Sequence, residues 1–512
     1  MQFRFHRLFI TFLCVFLHLF ISAQSPKREF RGIWIATVNN LDWPSKPGLS
    51  VEKQKDELIS ILNKLQNLHF NAVIFQIRPA ADAFYASQTE PWSMWLSGTP
   101  GKATEGNWDP LKFIVEECHK RGMELHAWMN PFRLSQNMVT SYSEKSIAKR
   151  HPEWVLTYGN KQYLDPGIPE VRHYLNVVVA EVVRKYDVDA IQFDDYFYPY
   201  PIAGQTFPDQ HSFETYNFGY LSNELERWRR DNVDAIIESL SKTIKQIKPK
   251  VKFGISPFGV WKNYDENKVP DGSVTNAGNT NYDNLYADVI KWQQMGWIDF
   301  MIPQLYWEIG HKSVDFITLA NWWSDRSFGH HVYVGHALYK LVEGQSPAWK
   351  NPEELPEQIL ITRRMKNMEG SAYFRMKFLD TNPLRFTDRL SKDIYKDVAL
   401  LPTMEWLDNK APQNPKKIKW KKKKGELRLI VKFDKKHVKS NDHLGFLVYW
   451  SKSKEKVELS TMGNLITFCS EDEIDLENKL KFSNGTYYLW LTTLDKQHNE
   501  SQAIGPLKIK VK

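Results

Sequence analysis

Ala190-Ile191-Gln192-Phe193-Asp194-Asp195-Tyr196-Phe197-Tyr198-Pro199 is the stretch on which the fold turns. Its first half alternates apolar Ile191 and Phe193 with polar Gln192 and Asp194, the pattern of a strand whose two faces meet different surroundings. A helical pattern precedes it, starting at Pro169 and carrying Val171, Leu175, Val178, Val179, Val182 and Val183 at helical spacing. An aromatic run follows it. A strand reached from an amphipathic helix and left through a decorated loop is one unit of a β/α repeat.

Outward from this unit the same order recurs between Glu29 and about Pro402. Strands are predicted over 32–37, 72–78, 124–130, 190–194, 252–258, 299–306, 331–338 and 371–376. Helices are predicted over 52–68, 220–247, 282–294, 315–324, 354–367 and 388–400, with two more starting at Pro169 and after an Asp109 N-cap, where Pro110 takes the first helical position. Eight strands, each followed by a helix, predict an α/β fold of the (β/α)8 TIM-barrel type over 29–402. After a linker over 403–415, the segment 416–512 changes to short alternating strands with turn signals such as Asn484-Gly485, the pattern of a small all-β sandwich.

The ends of the chain add a compartment. Arg4, His6 and Arg7 precede an apolar run over 8–21 and the small residues Ser22 and Ala23, which reads as a signal peptide over 1–23 and predicts export to the periplasm or cell surface. That run is shorter than the roughly 20 residues of a spanning helix, and nothing later approaches it, so no transmembrane helix is expected in the mature chain. Cys118 and Cys469 then remain, in different domains and without the neighbours of a zinc site, so neither a disulfide nor a metal is expected. The formal charge of +8 owes part of its size to the basic run Lys416 through Lys424. Such a run is a solvated strand face or linker, or a contact to an anionic polymer such as a cell wall; nucleic acid is not an expected partner.

Strand parity decides which polar groups face the barrel axis. With Leu125, Ala127 and Met129 turned to the helices, His126, Trp128 and Asn130 point inward; Gln192 and Asp194 do so on strand four, and Gln76 and Arg78 on strand two. On strand six, Gln304, Tyr306 and Glu308 share a parity, strand seven offers His336, and strand eight Arg375. Two carboxyls across a sugar groove are what glycoside hydrolysis needs. The expected assignment is Asp194 as nucleophile or base and Glu308 as general acid, its pKa raised by flanking Trp307 and Ile309, with Asp195 as the rival of Asp194. Arg78, Asp82, His126, Asn130, Arg133, Tyr196, Tyr198, Gln304, Tyr306, Trp307, His336 and Arg375 form the expected sugar-binding set. The long loop over 80–108 holds Phe84, Tyr85, Trp92, Trp95 and Trp108, and the loop over 196–218 is rich in Tyr and Phe, which suits stacking on sugar rings. No cofactor is expected, and a monomer is.

Several motifs carry a resemblance: Arg31-Gly32-Ile33-Trp34, Gln76-Ile77-Arg78-Pro79, His126-Ala127-Trp128-Met129-Asn130-Pro131, Leu164-Asp165-Pro166-Gly167, Phe193 through Pro199, and Pro303-Gln304-Leu305-Tyr306-Trp307. Together they resemble the glycosyl-hydrolase-10-like family of bacterial exported proteins. The resemblance implies a TIM barrel acting on a bacterial polysaccharide, with peptidoglycan glycan strands as substrate. It does not imply xylanase activity, because family 10 xylanases use glutamates on strands four and seven, where this chain has aspartates and His336. The stretch Gly485 to Asp495, followed by Asn499-Glu500-Ser501, resembles a fibronectin type III module. Two alternatives use the same residues: a metal-dependent polysaccharide deacetylase with Asp194 or Asp195, His126 and His336 as ligands, and a non-catalytic glycan-binding protein.

Overall fold

The computed structural model describes residues 25–137, 142–414, 417–423, 426–432, 442–455, 457–460, 462–471, 473–475 and 483–511. The leader predicted over 1–23 lies outside the described residues, as do Lys416 and Lys424 of the basic run.

Eight strands form the frame: β1 Phe30–Ile35, β2 Ala72–Arg78, β3 Glu124–Met129, β4 Ala190–Phe193, β5 Lys252–Ile255, β6 Phe300–Met301, β7 His331–His336 and β8 Met368–Tyr373. All neighbours are parallel, and β8 pairs with β1, Tyr373 opposite Ile33, to close the barrel. Alternation along the strands builds two cores. Ile33, Val73, Ile191, Phe253 and Met301 face the helices, whereas Phe30, Trp34, Ile74, Trp128, Phe300 and Tyr333 fill the barrel. Each such side chain contributes roughly 1.5–3 kcal/mol by leaving water. Inside, the rings of Phe30 and Tyr333 stack at 4.0 Å. Gly254 on β5 gives Phe300 its space: a Cβ there would lie 2.1 Å from the Phe300 ring.

Most covering helices form where sequence signals place them, but the one expected over 282–294 is broken into Asn281–Asn284 and Val289–Gln294. α1 Val51–Asn67 starts at Ser50, whose side chain accepts from the Lys53 N–H, and α2 Pro110–Lys120 starts at Asp109, which accepts from the Lys112 N–H. α3 Pro169–Lys185, α4 Leu225–Ile247, α5 Val289–Gln294, α6 Phe316–Ser324 and α7 Glu354–Thr362 follow in order. After β8 the chain runs through the short helices Met376–Thr381 and Phe386–Arg389 into a π turn, Leu390–Ile394, where one helix was expected. Among the described residues no helix is long and apolar enough to cross a membrane.

The largest departure from expectation is β6, two residues long where eight were predicted. Pro303 has no N–H to donate, and Pro257 removes the matching donor after β5, so the ladder stops and resumes only as single bridges from Gln304 to Phe258 and to Gly335.

The C-terminal domain consists of a three-stranded antiparallel sheet (Lys417–Lys423, Glu426–Lys432, Glu473–Asp475) and a four-stranded one in the order Leu465–Cys469, His443–Ser451, Gly485–Asp495, Ile504–Val511. It docks under the barrel, at the end where strands begin. His498 Nε2 lies 3.4 Å from Glu124 Oε1 at the start of β3, and Lys250 Nζ, just before β5, reaches Asp408 at 2.5 Å and Asp442 at 2.6 Å. The mouth at the strand C-terminal ends is thereby left open. Cys118 and Cys469 are both free thiols.

Candidate active site

At that mouth lies a cleft of about 760 Å³. Asp194 and Asp195, which leave the end of β4 together, are the only carboxylic residues lining it among the described residues. Asp194 is 5% exposed and Asp195 3%. Their surroundings differ. Asp194 Oδ2 accepts the Trp128 indole N–H at 3.1 Å and a short hydrogen bond from the Asn130 amide, while Oδ1 takes the Tyr196 backbone N–H at 3.3 Å. Asp195 Oδ2 accepts a short bond from the Tyr200 hydroxyl.

A relay holds the Asn130 amide in the orientation that donates to Asp194. The backbone N–H groups of Thr37 and Val38 both donate to Gln76 Oε1 at 3.0 Å, which turns Gln76 Nε2 to Asn130 Oδ1 at 2.8 Å. Arg133 donates to the same Asn130 oxygen at 2.7 Å, its guanidinium lying 5.2 Å from the centre of the Tyr196 ring. Asn130 Nδ2 is then left facing the carboxylate.

Burial raises the pKa of both aspartates. For Asp194 the opposing influences are the Arg133 charge and the Tyr196, Trp128 and Asn130 hydrogen bonds. For Asp195 burial is joined by the negative charge of Asp194, and it is pushed up to about 7. The two settings are therefore unequal: N–H donors and a cation favour the charged form of Asp194, while a neighbouring negative charge favours the protonated form of Asp195.

Of the expected sugar-binding set, Arg133, Tyr196, Gln304 and Tyr306 line the cleft, and Asn130 stands directly behind Asp194. The others lie elsewhere. Arg78 is fully buried, forked onto Glu90 at 2.6 and 2.9 Å and bonded to the Pro131 carbonyl, so it pins the loop after β2. His126 sits deep in the barrel between Glu124 Oε2 and Gln192 Oε1. His336 has the parity of Val332 and Val334, which face the helices; its ring bonds Gln358 on α7 and Ser371, and burial holds its pKa down at about 4. Arg375 turns to the Leu41 carbonyl and Asp42. Tyr198 is buried against Phe207 and Tyr286, and Trp307 packs edge-on against Phe258.

Glu308 is not among the residues lining the cleft. Its Oε2 accepts the Trp349 indole N–H at 2.9 Å; burial works to raise its pKa, but hydrogen bonds, including one from Ser346, and the nearby His311 outweigh this and lower it. This is the reverse of the acid-like shift expected from the flanking Trp307 and Ile309. Nor are Asp194, His126 and His336 brought together: among the described residues no group of three His, Cys, Asp or Glu side chains could hold a metal ion.

Asp82 lines a second hollow of about 420 Å³ with Trp92 and Trp95, which shares Asn39 and Gln136 with the cleft; burial pushes its pKa up to about 7. Tyr200 comes to the cleft from the aromatic loop 196–218; residues not anticipated there are Trp34, Tyr339, Phe374 and the pair Tyr158 and Lys161. Trp34 shares the inward parity of Phe30 and was legible by the rule applied to strand four. Tyr158 and Lys161 come from a small hairpin, Val155–Tyr158 with Lys161–Leu164, whose strands are too short to leave a periodic signal.

Buried paired carboxyls in an aromatic-walled cleft, at the C-terminal mouth of a closed parallel barrel, define a glycoside hydrolase or a protein of a related fold. The chain belongs to the glycosyl hydrolase-like 10 family, whose model matches residues 29–351. It is 44% identical over 489 residues to the glycosyl hydrolase YngK of Bacillus subtilis strain 168, covering 94% of each chain. It is 37% identical over 383 residues to the glycosyl hydrolase DigH of Escherichia coli K12, covering 70% of this chain and 85% of that one. Among solved structures, it is similar to the PgaB glycoside hydrolase domain of Bordetella bronchiseptica (TM-score 0.47, 10% identity, 72% of this chain and 99% of that one). The catalytic domain of a β-amylase from Paenibacillus polymyxa gives a TM-score of 0.46 at 12% identity, over 73% of this chain and 99% of that one.

Proposed function

We propose that this chain is an exported hydrolase of O-glycosidic bonds in a bacterial polysaccharide, with the glycan strands of peptidoglycan as substrate. Asp195 is the proton donor to the leaving oxygen, in the place first given to Glu308, and Asp194 is the anion that faces the charge developing at the anomeric carbon. The observation that carries this reading is the unequal setting of two adjacent buried carboxyls in one cleft: N–H donors on Asp194, and a neighbouring negative charge on Asp195. Membership of a glycosyl hydrolase-like family supports the reaction class. The signal-peptide pattern over 1–23 supports export. The C-terminal domain is read as a fibronectin type III-like module, a reading supported by its three strands set against four in antiparallel order.

The test is mass spectrometry of products after incubation with intact sacculi, peptide-free glycan strands and a panel of plant and host polysaccharides. New reducing ends are expected from the peptide-free glycan. Asp194→Asn and Asp195→Asn are each expected to lower the rate on the order of 10²–10⁴-fold with the fold retained by circular dichroism. Retention on glycan without any new reducing ends from the wild-type protein would sink the hydrolase reading in favour of a binding protein.

A further inference from the structure

We propose that the cleft is built for sugars bearing a 2-acetamido group, and that the substrate's own acetamido oxygen, rather than a protein side chain, attacks the anomeric carbon. The inference rests on the hydrolase reading above and names its substrate class.

Ordinary glycoside hydrolysis sets one carboxyl on each side of the scissile bond, roughly 5–5.5 Å apart for retention or 6.5–9.5 Å for inversion. Here both cleft carboxyls leave the same end of β4 on consecutive residues. In an eight-stranded ring the strand opposite β4 is β8, flanked by β1 and β7. These strands and the loops after them bring Phe374 after β8, Tyr339 after β7, and Trp34, Ala36, Val38, Asn39 and Leu41 from β1 onward to the cleft. Among the described residues that wall holds rings, aliphatic side chains and one amide but no carboxyl, and Glu308 lies outside the lining. A sugar held between the walls has carboxyls on one side only, so a group carried by the sugar is the remaining nucleophile.

The two aspartates suit that division of work. Asp194 Oδ2 is taken by Trp128 and Asn130, while Oδ1 meets only the longer bond from the Tyr196 N–H and can accept the acetamido N–H. The hydroxyls of Tyr196, Tyr306 and Tyr339 line the cleft and bond to nothing among the described residues, which leaves donors to orient the acetamido carbonyl. In the first half-reaction the carbonyl oxygen bonds to C1 as the C1–O glycosidic bond breaks, and the Asp195 proton passes to the leaving oxygen. The positive charge of the resulting oxazolinium ring is balanced by Asp194 through its N–H. In the second half, water bonds to C1, its proton returns to Asp195, and the C1–O bond to the carbonyl breaks, restoring the amide. One water is consumed, and two inversions at C1 give net retention.

The experiment compares peptide-free glycan strands, the same strands after chemical N-deacetylation, and xylo-oligosaccharides, with the full mature protein. Product anomers are followed by proton NMR, and inhibition is tested with the methylthiazoline analogue of N-acetylglucosamine, a mimic of the oxazoline. Cleavage of the acetylated strands with retention, a loss on the order of 10³-fold or more on deacetylation, and competitive thiazoline inhibition are the expected results. Inverted products, or a glycosyl–enzyme adduct trapped on an aspartate or on Tyr339, would overturn the inference while leaving the hydrolase reading intact. No cleavage of any glycan would remove both. Stereochemistry and inhibition are read on the wild-type chain, so no variant need fold for the result to count.

Discussion

Tyr200→Phe tests how the pair divides its protons. The Tyr200 hydroxyl donates to Asp195 Oδ2, a bond that favours the ionised carboxyl and so opposes the burial and the Asp194 charge that push it to about 7. Both partners are removed from bulk water: Asp195 is 3% exposed and Tyr200 half-buried. A hydrogen bond to a charged group in such a setting is worth about 1.5–3 kcal/mol. At 1.36 kcal/mol per pKa unit, its loss raises the carboxyl by about 1–2 units. The acid form then persists to higher pH, so the alkaline limb of kcat/KM moves from about 7 to about 8–9. Asn130→Ala acts on the other partner. It removes a donor from Asp194, raises that pKa, and moves the acidic limb upward so that the bell narrows from below. The assay is the pH profile of reducing-end release, with apparent values assigned to the pair. An alkaline limb unmoved in a folded Tyr200→Phe protein would refute the assignment of the proton to Asp195.

Three further outcomes follow from where side chains sit. Arg78→Met leaves Glu90 buried without its partner and is expected to cost about 3–5 kcal/mol of stability, read as a drop in the thermal midpoint, whereas a direct substrate contact would raise KM with the midpoint unchanged. Glu308→Gln keeps an acceptor for the Trp349 indole and touches nothing in the cleft, so kcat is expected within about twofold of wild type; a loss on the order of 10²-fold would restore Glu308 as the acid. Trp95→Ala is expected to raise KM about fivefold for long glycan strands, from about 1 kcal/mol of lost ring stacking, and to leave the shortest cleavable oligosaccharide unaffected, because its indole lines the hollow beside the cleft; equal effects on both lengths would contradict this.

The barrel was legible because its strands face two cores at once. Ile191 and Phe193 against the helices, with Gln192 and Asp194 toward the axis, is a pattern only a strand with two unlike faces sustains, and the same rule turned Gln76 and Trp128 to the cleft and Asn130 to the back of Asp194. Asp109 and Pro110 announced α2 by the chemistry of a helix start. What parity could not tell was depth along the barrel. His126 and Trp128 share a face of β3, yet His126 meets Glu124 near the strand's beginning and Trp128 meets Asp194 near its end. One therefore belongs to the buried charge cluster beside His498, the other to the cleft.

The misplacement of Glu308 shows the limit of the rule in physical terms. Alternation is enforced by the hydrogen-bonded ladder, because each pleat inverts the side-chain direction only while neighbours fix φ and ψ. On β6 the ladder ends at Met301, and Pro303 allows it to be touched again only at Gln304. Gln304 and Tyr306, within a step or two of that bridge, still turn into the cleft; four residues beyond it Glu308 answers to Trp349 instead. Asp194 and Asp195 escape this decay because β4 is paired up to Phe193, with Met129 and Ile255 on either side, and the next backbone N–H groups are committed at once, Ser256 N–H to the Phe193 carbonyl and Tyr196 N–H to Asp194 itself. A carboxyl inferred from strand parity is therefore as well placed as the last ladder bond before it, which is why the aspartates, and not the glutamate, are the pair whose substitution is expected to stop the chemistry.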